Sequence, residues 1–263
     1  MKYTTPGGRV FCLYDQILNN NHTLIAGASG SGKSVFVNGL ICTILHRLPI
    51  DQPNGAQMIL IDPKRVELSQ YARLPHTITH ATEPADMIAA LNQAVTITES
   101  RYKDMQKTGA RLYNGGDIYV IIEELADLMT TNRKAIQPLL QRLCQIARAA
   151  RVHVICVTQC PLVKVIPTEI KVNFDSIIAL RTRSAQDSRN IIGAKGAELL
   201  PKYGECLFSS PDFCGIRHHV VPYVTDAEQA QICAHWLGQV EVPKPKKKAL
   251  SGLSDCLKRG CDT

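Results

Sequence analysis

Eight consecutive residues carry the plainest chemistry in this chain. Gly27-Ala28-Ser29-Gly30-Ser31-Gly32-Lys33-Ser34 fits the pattern G-x-x-x-x-G-K-[ST] in full. Glycines at these places let the backbone curl so that its N–H groups face a chain of phosphates. A helix opening at Lys33 adds its positive end to the same point. The Lys33 ammonium can reach the β- and γ-phosphates of a nucleoside triphosphate, and the Ser34 hydroxyl can ligate Mg²⁺. The expected nucleotide contacts are therefore Gly27, Ala28, Ser29, Gly30, Ser31, Gly32, Lys33, Ser34 and Val35, with ATP and Mg²⁺ as cofactors.

Such a loop needs an acid at the end of a neighbouring strand, and the apolar run Ile118–Ile122 ends in Glu123-Glu124. One carboxylate can hold the Mg²⁺ shell and the next can polarise an attacking water. Ser34 and Glu123 are the expected metal ligands, with Glu124 beside them as the catalytic glutamate. A glutamate directly after the metal-side acid favours hydrolysis over transfer to a bound acceptor.

Elements of the right kind flank these residues. His22–Ala26 is a short apolar strand feeding the glycine turn, and Lys33–Arg47 reads as a helix with Val35, Leu40, Ile41 and Leu45 available for burial. Met58–Ile61 is a second strand. A long helix follows, with Thr82 as its expected cap and Pro84 in its first turn. Its apolar positions Ile88, Leu91, Val95, Tyr102 and Met105 keep the spacing of one helical face. Ile118–Ile122 is apolar on successive positions, as a strand buried on both faces should be. A helix at about 134–150, strands at Val152–Thr158 and Ser176–Leu180, and a helix near 226–238 complete the series. This order predicts an α/β fold with a mostly parallel central sheet covered by helices.

Composition narrows the class. The chain has 263 residues, enough for one large α/β domain or two small ones, and its 45% hydrophobic and 20% charged residues suit a globular protein rather than a disordered one. No run of about 18 apolar residues is present, so no membrane insertion is expected. The first residues, Met1 to Gly8, lack the apolar core of a signal peptide, which points to the cytoplasm and to reduced thiols for the ten cysteines. The net charge of +7 suits a polyanionic partner without requiring one. Residues 241–263, with six basic side chains against three acidic, read as a basic flexible tail. The expected division is a lead-in at 1–21, a motor domain at 22–240 and this tail. Cys206, Cys214, His218 and His219 lack a C-x-x-C pair and fit two strands better than a zinc site.

Several shorter segments, in one order, resemble the motor domain of the FtsK/SpoIIIE DNA translocases across about residues 20–238. They are Ile61-Asp62-Pro63-Lys64 with Glu67-Leu68, Leu74-Pro75-His76, Glu99 to Met105, Glu124 to Met129, Ala147 to Ala150 leading to Thr158-Gln159, Asp187-Ser188-Arg189, and Gly196 to Leu200. The resemblance implies a RecA-like P-loop ATPase that assembles as a homo-oligomeric ring, commonly a hexamer, and pumps double-stranded DNA through its centre. It carries Lys33 and Ser34 over as nucleotide and Mg²⁺ residues and Glu124 as the catalytic glutamate. Gln159 fits a γ-phosphate sensor, since a neutral amide can bond the γ-phosphate or its water and lose that bond after cleavage.

The sequence departs from the family pattern in three places. Glu123 stands where the family usually has Asp, Cys160 where it has Arg, and Ile177 where well-known members carry Arg. Ring ATPases set an arginine of one subunit against the neighbour's γ-phosphate, and Arg181, Arg189 and Arg148 are the remaining candidates. Lys164, Lys171, Lys195, Lys202 and the Lys246-Lys247-Lys248 cluster are basic groups that can meet DNA phosphates. The chain shows no anchor, no preceding domain and no winged-helix module, so a minimal motor is expected, with a membrane or mobile-element protein as a possible partner. Two rivals stand beside the DNA motor: a coupling or secretion ATPase, and a non-hydrolysing nucleotide-binding scaffold.

Overall fold

The computed structural model describes residues 12–52, 54–159 and 167–238. The basic tail at 241–263, Cys160 and Lys164 lie outside the described residues. In chain order the elements are α1 (Cys12–Asn19), β1 (His22–Ala26), α2 (Lys33–Arg47), β2 (Gln57–Ile61), β3 (Thr77–Ala81), α3 (Pro84–Thr108), β4 (Ile118–Ile122) and α4 (Leu125–Ile146). They continue as β5 (Val152–Thr158), α5 (Thr168–Lys171), β6 (Ser176–Ala179), α6 (Ala185–Ile192), β7 (Glu205–Ser209), β8 (Ile216–Val220) and α7 (Asp226–Trp236).

One eight-stranded sheet runs in the order β3-β2-β4-β5-β1-β6-β7-β8. The first six strands of that order are mutually parallel, and β7 and β8 add an antiparallel hairpin at one edge. The expected α/β fold with a mostly parallel sheet is thus what forms. β1, β4 and β5 are buried along their whole length, because helices cover both faces.

Strand period assigns each residue to a face. Met58, Leu60, Tyr119, Ile121, Ile155 and Val157 join a core with α1, α2 and α7. Ile59, Ile61, Val120, Ile122, Val154 and Cys156 pack on the other side against α3 and α4. Each such side chain contributes about 1.5–3 kcal/mol, and a one-residue slip would exchange the two sets. The register is therefore held firmly, and with it the position of whatever follows each strand.

The sequence reading and the structure part in several places. Val35 is 38% exposed rather than buried. Glu83, not Thr82, caps α3, with Pro84 at its first position. α4 opens at Leu125, nine residues before the expected start, and runs through Pro138 with a kink at Asn132. α1 and β3 are additional elements, and β6 ends at Ala179. The acid-bearing β4 is also not the immediate neighbour of β1, because β5 lies between them. That insertion brings a third strand end, Thr158-Gln159, into the space between loop and acids.

Candidate nucleotide and hydrolysis site

Parallel pairing sets the carboxyl ends of β2, β4, β5, β1 and β6 side by side, the edge where open α/β sheets place their ligands. Ile61 pairs with Ile122, Ile122 with Cys156, and Ala26 with both Thr158 and Ala179. Backbone bonds extend this beyond the strands. Glu123 N–H donates to Ile61 O at 2.9 Å, Gly27 N–H to Thr158 O at 3.3 Å and Ala28 N–H to Arg181 O at 2.8 Å.

The glycine loop leaves β1 under tight constraint. A Cβ on Gly27 would lie 2.7 Å from Ser31 Oγ and 2.9 Å from Leu180 Cβ, so only glycine fits beside β6. At Gly32 the need is conformational: φ is +91°, the left-handed region that side chains avoid. α2 then starts at Lys33 with Gly32 as its cap and no acid in its first turn, so its free N–H groups stay available to an anion. Ser29 and Gly30 are exposed at the tip, Ala28, Gly32 and Ser34 half-buried, and Gly27, Ser31 and Lys33 buried.

Lys33 folds back on its own loop, donating to Gly27 O at 3.0 Å and Ala28 O at 2.7 Å. Burial lowers its ammonium pKa, while the charges of Glu124 and Glu123 oppose that shift. The Ser31 hydroxyl is buried without a hydrogen-bond partner, and so is Glu123 Oε2. Glu123 is 4% exposed. Its carboxyl is pushed up to about 8, first by burial and then by the negative charges of Glu67, Glu124 and Asp62. An unpaired hydroxyl, a lysine held only by loop carbonyls and a carboxyl crowded by acids fit a phosphate chain with a divalent cation. Ser34 and Glu123 would hold that ion, and its charge would offset the crowding.

Glu124 is built differently. Its backbone sits at φ 62°, ψ 72°, a left-handed conformation usually left to glycine. It caps α4 through its carbonyl, which accepts from Asp127 N–H and Leu128 N–H, while its side chain makes no cap bond. The carboxylate turns to β5 and β2 instead. Oε1 accepts from Thr158 Oγ1 and from Gln159 N–H, each at 3.1 Å, and Oε2 accepts from Lys64 Nζ at 3.2 Å. Glu124 is thus within reach of β5's end, as a water-polarising base beside a sensor would be, with the Gln159 side chain exposed beside it.

Lys64 and Thr158 were not among the expected site residues. The Asp62-Pro63-Lys64 segment signals a turn, but only the β2–β4 pairing shows that this turn faces Glu124. Asp62 is fully buried and fixes it, accepting from Lys64 N–H, Arg65 N–H and Leu68 N–H at 3.0–3.1 Å.

The arginine candidates are dispersed. Arg181 lends its carbonyl to the glycine loop while its side chain is exposed. Arg189 is exposed on α6, with Gln186 as its side-chain partner at 3.4 Å. Arg148 acts on His22, at the far end of β1 from the loop. Of the lysines, Lys171 donates to Asn190 O and Lys202 lies over the Tyr203 ring. Cys206 and His219 face each other across the β7–β8 pair. Among the described residues no group of three His, Cys, Asp or Glu side chains can hold a metal, and the six described cysteines with placed side chains are free. No described helix is long and apolar enough to cross a membrane.

Comparison with known proteins places this geometry. Residues 6–117 and 115–163 match the model of the FtsK/SpoIIIE family. The DNA translocase FtsK of Rickettsia prowazekii is 37% identical over 84% of this chain and 35% of its own length. That of Rhizobium meliloti is 36% identical over 81% of this chain and 29% of its own. The chain therefore spans about a third of the length of the curated relatives it matches. Among solved structures, the pCW3 conjugation coupling protein TcpA with ATPgS superposes with a TM-score of 0.70 at 24% identity, covering 81% of this chain and 64% of TcpA. EssC ATPases 2 and 3 from Geobacillus thermodenitrificans also reach 0.70, at 15% identity, with 87% and 46% covered. A family match over more than half of the sequence and a site assembled at the carboxyl edge of a shared fold lead to one conclusion: the chain belongs to the FtsK/SpoIIIE family and carries its P-loop ATPase domain.

Proposed function

We propose that this chain is an ATP-driven motor that moves double-stranded DNA, working as a homo-oligomeric ring in the cytoplasm. Residues 22–240 form the motor unit, with α1 packed on α2 through Leu13, Tyr14 and Ile17. The observation that carries the reading is the meeting of Lys33, Glu123 and Glu124 around one glycine loop, with Glu124 reaching β5's end at 3.1 Å. Lys33 and the loop N–H groups hold the phosphates, and Ser34 and Glu123 would hold a Mg²⁺ ion, which would neutralise phosphate charge. Glu124 accepts a proton from the attacking water, and Gln159 senses the γ-phosphate. The likeness to relatives named DNA translocase supports DNA as the transported polymer.

The test is ATP hydrolysis by the purified chain with and without linear duplex DNA, beside Lys33→Ala. Hydrolysis strongly stimulated by DNA and reduced about 10²–10³-fold in Lys33→Ala is the expected result. Hydrolysis indifferent to DNA would replace this reading with a coupling or secretion ATPase. ATP binding without turnover would replace it with a nucleotide-gated scaffold.

A further inference from the structure

Glu124, the proposed base, is heavily engaged for a group that must accept a proton. A carboxylate offers roughly four lone-pair sites, and three are occupied here. Thr158 Oγ1 and Gln159 N–H take both on Oε1, and Lys64 Nζ takes one on Oε2. The free site is on the oxygen whose charge a lysine offsets. Glu124 is 4% exposed, so this ion pair is shielded on the acid's side and exposed mainly on the lysine's.

Two features make Lys64 a device rather than a chance surface contact. The first is its mounting. Asp62 pins the turn through three backbone N–H groups, and Arg65 takes a left-handed φ of 62° within it. The backbone that aims Lys64 at Glu124 is therefore fixed. The second is a second acceptor. Asp127, in the first turn of α4, lies 4.0 Å from Lys64 Nζ and is half exposed. The ammonium can pass from Glu124 to Asp127 by rotating its own flexible stem, with no backbone movement and no loss of a counter-charge.

We infer that Lys64 is a positioning residue that brakes hydrolysis, holding the Glu124 carboxylate in an engaged, charge-compensated state until the ammonium moves to Asp127. This rests on the reading of Glu124 as the base in the proposed ATPase. In this role Lys64 touches neither nucleotide nor water and acts through Glu124. A lysine that assisted catalysis would slow the enzyme when removed. A brake makes it faster, which loss of structure does not do.

The experiment measures kcat and KM for ATP, with and without linear duplex DNA, in the unmodified chain and in Lys64→Ala, Lys64→Met and Lys64→Arg. Lys64→Ala and Lys64→Met are expected to raise the DNA-free kcat about two- to fivefold, with KM unchanged, the size expected of a part-exposed ion pair. The stimulation by DNA shrinks by the same factor. Lys64→Arg keeps a cation at the site and stays near the unmodified rate. Equal rates in all four proteins overturn the brake and leave Lys64 a surface lysine. Slower turnover in Lys64→Ala, with and without DNA, also overturns it and makes Lys64 an aid to catalysis. An unmodified chain that binds ATP without turning it over overturns the ATPase reading itself, and the brake with it.

Discussion

β4 has a buried acid at each end, and the two are kept in opposite conditions. Asp117, just before the strand, accepts from Arg151 Nε and Nη2 at 2.8 Å each and pairs with His153 Nε2 at 2.9 Å. Burial works against its charge, but hydrogen bonds from His153 and Arg151 outweigh it and hold the carboxyl at about 2. Glu123, just after the strand, has an oxygen with no partner and a carboxyl pushed up to about 8. Both are under 10% exposed, so burial alone does not separate them. What separates them is whether the protein supplies the counter-charge. At Asp117 it does, and the cluster ties β4 and β5 together. At Glu123 the Lys33 ammonium opposes the upward shift without cancelling it, and the remaining deficit suits a ligand that comes and goes. Of these two acids, the closed one reads as structural and the open one as functional.

That contrast breaks first if the open end turns out to matter for folding rather than turnover. Glu124→Gln should cut ATP hydrolysis about 10²–10⁴-fold while leaving ATP binding and the urea midpoint close to those of the unmodified chain. A large fall in the midpoint would make Glu124 a structural acid like Asp117. The converse substitution sits at the closed end. Asp117→Asn leaves Arg151 without its counter-charge and His153 without its carboxylate partner, and should cost about 2–3 kcal/mol in urea unfolding, less than a fully buried pair because Arg151 is part-exposed. Its turnover per folded molecule should be unchanged. Loss of turnover without loss of stability would erase the distinction between the two ends.

The open end was legible in the sequence, and the closed end was not, for a physical reason. A glycine loop and an acid after an apolar strand are local signals, since each residue's role follows from its immediate neighbours. The sequence therefore yields Gly27–Ser34, Glu123 and Glu124, and the structure puts them together. The Asp117–Arg151–His153 cluster and the Lys64–Glu124 pair join residues 34 to 60 positions apart. They exist only because β4 lies between β2 and β5, and strand order is not written in any one segment. The alternating arrangement of strands and helices was readable from apolar runs. β3 was not, since Thr77–His80 are only half-buried at the sheet edge, so their polar pattern gave little strand signal. The start of α4 was missed because Thr130 to Lys134 are polar and exposed, which interrupts the apolar face that marks a helix.

Glu123→Gln sharpens the contrast with a smaller effect. A carboxyl raised from an ordinary 4.5 to about 8 in the fold favours folding while protonated. That contribution is complete below the unfolded value and is lost as pH rises through about 8. Nucleotide-free protein should therefore lose stability between about pH 5 and pH 8, by at most about 1.4 kcal/mol per pH unit. Glu123→Gln cannot ionise and should flatten that slope, leaving the variant about 1–2 kcal/mol more stable at pH 8 in metal-free thermal melts. An unaltered slope would mean that the charge of Glu123 is already fully compensated and that the two ends of β4 are alike.

Ser31→Ala is the smallest and most discriminating change. Its hydroxyl is buried with no partner in the free protein, so removing it takes away no hydrogen bond and relieves a desolvated polar atom. The expected change in stability is within about 0.5 kcal/mol and favourable in sign. If the hydroxyl is kept for a phosphate oxygen, the same substitution should weaken ATP binding about three- to tenfold, the worth of one hydrogen bond. A group that costs the empty fold and benefits the filled one is the signature of the open end in its simplest form. Equal calorimetric affinities for Ser31→Ala and the unmodified chain would show instead that the unpaired hydroxyl is an accident of packing. Unpaired groups at this edge would then have to be tested one by one, with Glu123 as the remaining case.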